Sequence, residues 1–395
     1  MTPFSTVSVA PVPSMSPDVP RRDRLALYFD AVQTPSGPLA HPHLNDPASA
    51  FESPGSGTAA PCIYQPQVAA EPQHLAIRGL RYHLRTWRTG TQPTPAPVAG
   101  QSAMAGETEA AAQAGETGRE PPLLVLLHGW MDVSASFQFV VDALQGRWRV
   151  VAPDWRGFGL SEGSPGCAHA VDSYAFADYL GDLDALLTAL SPKDPVRLVA
   201  HSMGGNVAML YAGIRPARVA GLVNLEGFGM PPVEPGKAVE RYRRWLDELR
   251  APVGLRSFAS LEEVAARLIR TNPRLPMDKA RYLAGQWSRP EKGEGGGEGA
   301  ARYALLADPA HRRVNPVLYR VDEAVACWRA ITAPVLWVTS PARDTFHQFT
   351  QTDEYRRRLT AIARLKEVEL ADAGHMLHHD QPTLLAGLIE EFFTS

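Results

Sequence analysis

Val196-Arg197-Leu198-Val199-Ala200-His201-Ser202-Met203-Gly204-Gly205-Asn206-Val207-Ala208-Met209-Leu210-Tyr211-Ala212 is the stretch whose reading decides the fold. Its first half is an apolar run with strand character, and its second half carries helical spacing. Between them stands a serine flanked two residues away on each side by Ala200 and Gly204. A strand that turns straight into a helix leaves no room for bulk beside the turn, so small residues are required there. The side chain at the tip is thrust outward, and the backbone N–H of the following residue, Met203, faces the same point. A serine in that seat is a candidate nucleophile. A glycine-rich turn with an incidental serine is the plain alternative, and the rest of the chain has to decide between them.

Working outward, strands and helices alternate. Leu123–Leu127 is a continuous apolar run, as a strand buried on both faces requires. Ser134–Leu144 reads as a helix, Arg149–Ala152 as a strand, and Val171–Leu190 as a long amphipathic helix. Val219–Leu225 is a further strand. Alternation then breaks at residue 231 and resumes near 331, with strands at Val335–Val338 and Glu367–Leu370 and helices at Asp353–Ala363 and Thr383–Phe393. Upstream, His74–Trp87 alternates about Arg78-Gly79 and predicts a hairpin. The pattern implies an α/β protein with a doubly wound, mainly parallel sheet of about eight strands. The interruption at 231–330 carries helical patterns at Glu240–Arg250, Leu261–Thr271 and Lys279–Trp287. It is expected to form a lid after the sixth strand, over the strand ends where such sheets bind ligands. The core is then 74–230 together with 331–395. Residues 1–70, rich in Pro, Ala and Ser, read as an unstructured tail, and 89–122 as a flexible insertion.

Composition narrows the setting. The chain has 395 residues, 45% of them hydrophobic, and a formal charge of −3. That is enough apolar matter for a large core, and the charge gives no bulk attraction to nucleic acid or an anionic membrane. Lysines occur only at 193, 237, 279, 292 and 366, so the basic residues are nearly all arginine, a compositional bias and not a basic patch. Three scattered cysteines (Cys62, Cys167 and Cys327) argue for a reducing compartment without a disulfide framework. With no apolar run long enough to span a bilayer and no basic-then-apolar start, a cytoplasmic location is expected.

A serine hydroxyl attacks only with a base at hand, a third group to orient that base, and donors for the oxyanion that forms. His375 is the candidate base, in the loop Asp372-Ala373-Gly374-His375 after the last strand. Two carboxylates compete to orient it: Asp344, after Val335–Val338, is the first choice, and Glu226, at the end of Val219–Leu225, the alternative. The Trp130 and Met203 N–H groups form the expected oxyanion hole, with Gly129 letting the backbone of Leu127-His128-Gly129-Trp130-Met131-Asp132 swing into place. His128, Gly129, Phe228 and Met230 are expected to line the substrate site, and Trp245 and Trp287 to shape an apolar pocket or to be ordinary lid core. His201 is assigned to packing or the site wall. A metal site from His375, His378 and His379 is set aside for want of carboxylate or cysteine partners at ligand spacing, so neither metal nor cofactor is expected. In Ala152-Pro153-Asp154-Trp155-Arg156-Gly157, Asp154 or Arg156 could brace the oxyanion loop.

Together these segments resemble the α/β-hydrolase superfamily: His128-Gly129-Trp130 its oxyanion turn, Asp154-Trp155-Arg156-Gly157-Phe158-Gly159 its Asp-x-Arg-Gly-x-Gly segment, Ala200–Gly204 its elbow, and Gly374-His375 its histidine loop. The likeness covers 74–395 apart from the insertion. His128–Asp132 and the lid length are similar to the serine-hydrolase-like subgroup. Ala200 stands where the elbow usually has its first Gly, and Asp344 falls one residue later than the family pattern, while Glu226 looks like the position used by haloalkane dehalogenases. Members that open epoxides or displace halide carry aspartate at the elbow, so Ser202 implies attack on an acyl carbon. The resemblance therefore implies a serine hydrolase for small carboxylic esters, with acyl transfer, C–C bond hydrolysis or non-catalytic ligand binding as the competing functions.

Overall fold

The computed structural model describes residues 62–90, 120–161, 171–291, 302–341 and 349–395. Strands β1 (Glu71–Ile77) and β2 (Leu80–Arg88) form the expected hairpin. Its two-residue turn puts both Arg78 (φ 48°) and Gly79 (φ 81°) in the left-handed region, the twist that a tight hairpin needs. The chain continues through β3 (Leu123–Leu127), a 3₁₀ turn at Ser134–Phe137, α1 (Gln138–Val141), β4 (Arg149–Pro153), α2 (Phe176–Leu190), β5 (Val196–His201), α3 (Met203–Ile214) and β6 (Val219–Leu225). Helices α4 (Ala238–Arg250), α5 (Leu261–Thr271) and α6 (Met277–Trp287), a small antiparallel pair β7 (Ser288–Glu291) and β8 (Arg302–Leu305), and α7 (Val321–Arg329) follow. The last elements are β9 (Val335–Thr339), α8 (Asp353–Leu359), β10 (Leu365–Glu369), α9 (Leu377–Asp380) and α10 (Pro382–Thr394).

The main sheet has eight strands in the order β1-β2-β4-β3-β5-β6-β9-β10, and every pairing from β4 to β10 is parallel. Strand residues alternate between two cores because successive side chains point to opposite faces. Val125, Leu127, Leu198 and Trp337 pack on one side beneath Leu183 and Leu187 of α2, Val207 and Tyr211 of α3, and Trp328 of α7. Leu124, Leu126, Val199, Leu336 and Val338 pack on the other, against Phe137, Val140, Leu385 and Ile389. A third cluster, with Phe139, Phe258, Val264, Leu268 and Leu283, belongs mainly to the 231–330 segment.

Three local readings change. The helix expected from Val171 starts at Phe176, because Tyr174 is taken by tertiary contacts: its ring stacks 3.8 Å from His311 and its hydroxyl donates to Asp308 Oδ2 at 2.8 Å. The helix expected over Ser134–Leu144 shrinks to a 3₁₀ turn and one α-turn, and carboxylates cap its start: Val133 N–H donates to Asp132 Oδ1 and Ser134 N–H to Asp154 Oδ1, each at 2.7 Å. Order also starts before His74. Tyr64 lies edge-on to Phe139 at 4.9 Å and donates to Asp142 Oδ2 at 2.7 Å, so residues 62–70 pack against the domain. The earlier tail, residues 91–119 of the insertion and residues 292–301 lie outside the described residues. Among the described residues no helix is long and apolar enough to cross a membrane.

Candidate active site

Strand β5 ends on His201, and α3 begins at Met203, so the whole turn is one residue, Ser202. Its backbone sits at φ 51°, ψ −115°, a conformation that costs a non-glycine residue about 1–3 kcal/mol and persists because its surroundings enforce it. They do so by contact. A methyl built on Gly204 would stand 2.5 Å from the Leu127 carbonyl oxygen, and one on Gly205 2.4 Å from Asn224 Oδ1. Small residues there let the helix close onto β3 and β6. The first amides of α3 have no partner inside the helix, and they face the serine with the positive end of the helix dipole.

His375 follows β10 in the loop before α9 and meets the serine at 3.1 Å, Nε2 to Oγ. On its other side Nδ1 donates to Glu226 Oε2 at 3.0 Å. A carboxylate only accepts, so the ring proton is on Nδ1, and Nε2 presents a lone pair to the Ser202 hydroxyl. Glu226 is fully buried, immediately beyond β6, and its second oxygen accepts the Ser340 N–H at 2.6 Å. It too holds a positive φ, 57°, which turns the side chain back across the strand ends. Asp344, the first choice from the sequence, lies outside the described residues. Among the described residues, the carboxylate seen to accept from His375 Nδ1 is the alternative, Glu226. The histidine loop is itself braced, since Asp380 accepts the Gly374 N–H and the Asn272 side-chain amide, each at 2.8 Å.

The loop after β3 packs directly on the elbow: a methyl on Gly129 would lie 3.2 Å from Ser202 Cβ and 2.9 Å from His201 Nδ1. This sets Gly129, the residue before Trp130, against the serine. His128 does not line a substrate site. It is wholly buried; its Nε2 accepts the Trp155 N–H at 2.9 Å, its Nδ1 donates to the Gly129 carbonyl at 2.7 Å, and its own carbonyl accepts the Trp155 indole N–H at 3.0 Å. Burial holds this imidazole below its ordinary pKa, so it stays neutral as a latch between the β3 and β4 loops. Asp154 provides the brace expected of it or Arg156. It accepts from Ser134, from Leu160 at 2.9 Å and from His83 Nδ1 at 2.8 Å. Burial pushes this carboxyl up, but the His83 bond and charge outweigh it and hold the group well below the carboxylate range. Arg156 instead pairs with Asp182.

Phe228 is buried in the core, edge-on to Tyr355 at 5.9 Å, while Met230 is half-buried and its carbonyl accepts Arg358 Nη1 at 2.7 Å. Trp287 packs against the third apolar cluster, so it is core of the inserted segment. His201 is more than packing. Its Nε2 donates to the His375 carbonyl at 2.8 Å, so the residue before Ser202 fixes the backbone of His375. Nothing in the sequence could have revealed that contact, which joins residues 174 apart.

A family model described as alpha/beta hydrolase fold matches residues 122–382. The chain belongs to the α/β-hydrolase fold family. Among its relatives in this family, a serine hydrolase-like protein of Danio rerio is 28% identical over 281 residues, 68% of this chain and 80% of the relative. A 3-hydroxybutyrate-oligomer hydrolase of Cupriavidus necator is 30% identical over 281 residues, 69% of this chain and 89% of the relative. The thioesterase domain from the curacin biosynthetic pathway shares the fold with a TM-score of 0.63 at 23% identity, over 83% of this chain and all of that domain. So does an esterase from Mycobacterium tuberculosis, with a TM-score of 0.54 at 19% identity, over 84% of this chain and 93% of that one.

Proposed function

We propose that this α/β-hydrolase is a serine hydrolase that cleaves carboxylic esters of small, partly apolar acids through an acyl-enzyme. The observation that carries the proposal is the line Ser202 Oγ, His375 Nε2, His375 Nδ1, Glu226 Oε2, with its two bonds of 3.1 and 3.0 Å and the tautomer they require. In the first step Ser202 Oγ bonds to the acyl carbon while His375 Nε2 takes the hydroxyl proton. Glu226 keeps the imidazole oriented and stabilises its charge. The Met203 N–H, at the start of α3, and the Trp130 N–H hold the oxygen that becomes negative. Collapse expels the alcohol, which carries away the proton from Nε2. Water, deprotonated by the same nitrogen, then attacks the acyl carbon and releases the acid and free Ser202. None of these steps calls for a metal or cofactor. The segment between β6 and β9 is the lid in this reading. Its support is an apolar cluster built mainly from its own residues and a backbone join to the Asp154 turn, where Gly159 N–H donates to the Leu306 carbonyl at 2.8 Å. Relatives named as hydrolases agree with the chemistry and leave the acyl group open.

The test is a panel of p-nitrophenyl esters of increasing acyl length, run with fluorophosphonate labelling on the wild type and Ser202→Ala. Labelling that disappears and turnover that falls on the order of 10³-fold or more are expected in the variant. Equal turnover in the two proteins, or labelling that persists in Ser202→Ala, would remove Ser202 from the reaction. Labelling without hydrolysis of any ester would point to acyl transfer or C–C cleavage on the same scaffold.

A further inference from the structure

We propose that Asp132, His201 and His378 form a buried site for one transition-metal ion of the zinc class, which ties together the three segments that carry the reacting groups. The three side chains are 3%, 2% and 0% exposed. Each offers a ligand atom within 4.8 Å of the other two. Asp132 comes from the oxyanion loop, His201 from the end of β5 beside the nucleophile, and His378 from α9 beyond the base.

The hydrogen-bond inventory is what points to a cation. Asp132 Oδ1 is engaged, accepting from Val133 N–H and the Ser136 hydroxyl, but Oδ2 has no partner. His201 Nε2 must carry its ring proton, because it donates to a carbonyl; Nδ1 is therefore a bare lone pair, and it has no partner either. Both nitrogens of His378 are unpartnered, and its Nε2 stands 3.8 Å from Asp132 Oδ2, too far for a hydrogen bond. A carboxylate oxygen and an imidazole lone pair thus converge on a space that no well-placed protein donor enters. Buried acceptors left this way are costly, and a carboxylate most of all.

A divalent ion does relieve them, because it neutralises the carboxylate and accepts both imidazole lone pairs. Ligand atoms 4.8 Å apart lie about 2.8 Å from their common centre, and zinc binds nitrogen and oxygen at about 2.0–2.2 Å, so each donor closes by less than about 1 Å. The supports of such a site are in place. Ligating histidines ordinarily donate their other N–H to a carbonyl, as His201 does to His375, and ligating carboxylates are held by hydrogen bonds, as Asp132 is. The His378 ring is fixed against Phe137 at 5.0 Å. A water in the fourth position completes a tetrahedral set.

The test uses the full chain, dialysed against a chelator and reloaded overnight with Zn²⁺ or Co²⁺. One ion per chain is expected by mass spectrometric metal analysis. The Co²⁺ protein should show the intense visible bands of tetrahedral cobalt without a near-ultraviolet thiolate band, and the Tm should rise by about 5 °C with Zn²⁺. His378→Phe, which keeps a ring against Phe137, should weaken binding by at least about 100-fold and abolish the Tm response. Substoichiometric metal in the wild type, undiminished binding in His378→Phe, a thiolate band, or a crystal structure of the loaded protein with water alone between the three side chains overturns the assignment. Should His378→Phe fail to fold, the wild-type stoichiometry and Co²⁺ spectrum decide by themselves.

Discussion

Changing Glu226 to glutamine keeps the shape, removes a charge and turns one acceptor into a donor, and the surroundings dictate how the new amide must sit. The Ser340 N–H donates to Oε1 at 2.6 Å, so that position has to remain an acceptor. In Glu226→Gln the amide oxygen takes it, and the NH₂ group is forced against His375 Nδ1. Two donors cannot share that 3.0 Å contact, so the ring proton moves to Nε2. Nε2–H then faces Ser202 Oγ, and the lone pair that should remove the hydroxyl proton is gone. Turning the amide round only transfers the clash to Ser340. A base held in the wrong tautomer costs about 10³–10⁴ in kcat in a comparable triad, about 4–5.5 kcal/mol of transition-state stabilisation. KM should barely change, because the serine, the elbow amides and the oxyanion loop are untouched. The assay is steady-state hydrolysis of a p-nitrophenyl ester, with circular dichroism and Tm confirming that Glu226→Gln is folded, and Asp344→Asn as the contrast. Glu226→Gln within about threefold of wild-type kcat, with a large loss in Asp344→Asn, would refute the reasoning and return the orienting role to Asp344.

Gly204→Ala should wedge α3 away from β3, since its methyl would sit 2.5 and 2.6 Å from the Leu127 and His128 carbonyl oxygens, both of them backbone. A loss of about 2–3 kcal/mol in urea unfolding, with a fall in kcat, is expected, and an unchanged unfolding midpoint and kcat would contradict it. Acid sensitivity follows from four histidines. Burial holds His128, His201, His311 and His379 below their ordinary pKa, His311 at about 3. For each, the unfolded chain takes up a proton below about pH 6.5 that the folded protein refuses. Stability from these groups is therefore complete above that pH and is lost as pH falls, at about 1.4 kcal/mol per unit for each group. Tm measured from pH 8 to pH 5 should be flat at first and then drop steeply below about 6.5. A Tm that holds to pH 5 would mean these rings find protons in the fold.

The legible parts of the site were those that repeat a local rule. Ser202 stood out because a one-residue strand-to-helix turn demands small neighbours at Ala200 and Gly204, and that demand is written in adjacent positions. His375 was recognisable as a histidine after the last strand. The acid was not, since the sequence sets two carboxylates, Asp344 and Glu226, after strand-like runs, and no local rule chooses between them. The role of His128 was misread for a related reason. Its loop position suggested contact with substrate, whereas burial and three hydrogen bonds to Trp155 and Gly129 make it a latch. Likewise Val171–Ala175 has helical spacing, but the stack of Tyr174 on His311 draws it out of the helix.

By itself the amino-acid order determined the alternation of strands and helices, the parallel sheet it builds, and the serine at the tip of its sharpest turn. These depend on periodicity and side-chain size, which neighbouring residues carry between them. Tertiary structure alone decided that Glu226 meets His375, that His201 holds the backbone of His375, 174 residues away, and that Asp132, His201 and His378 converge on one space. Such pairings depend on how far each strand reaches and how its end is turned, quantities set by the packing of the whole sheet and recorded in no short stretch of the chain.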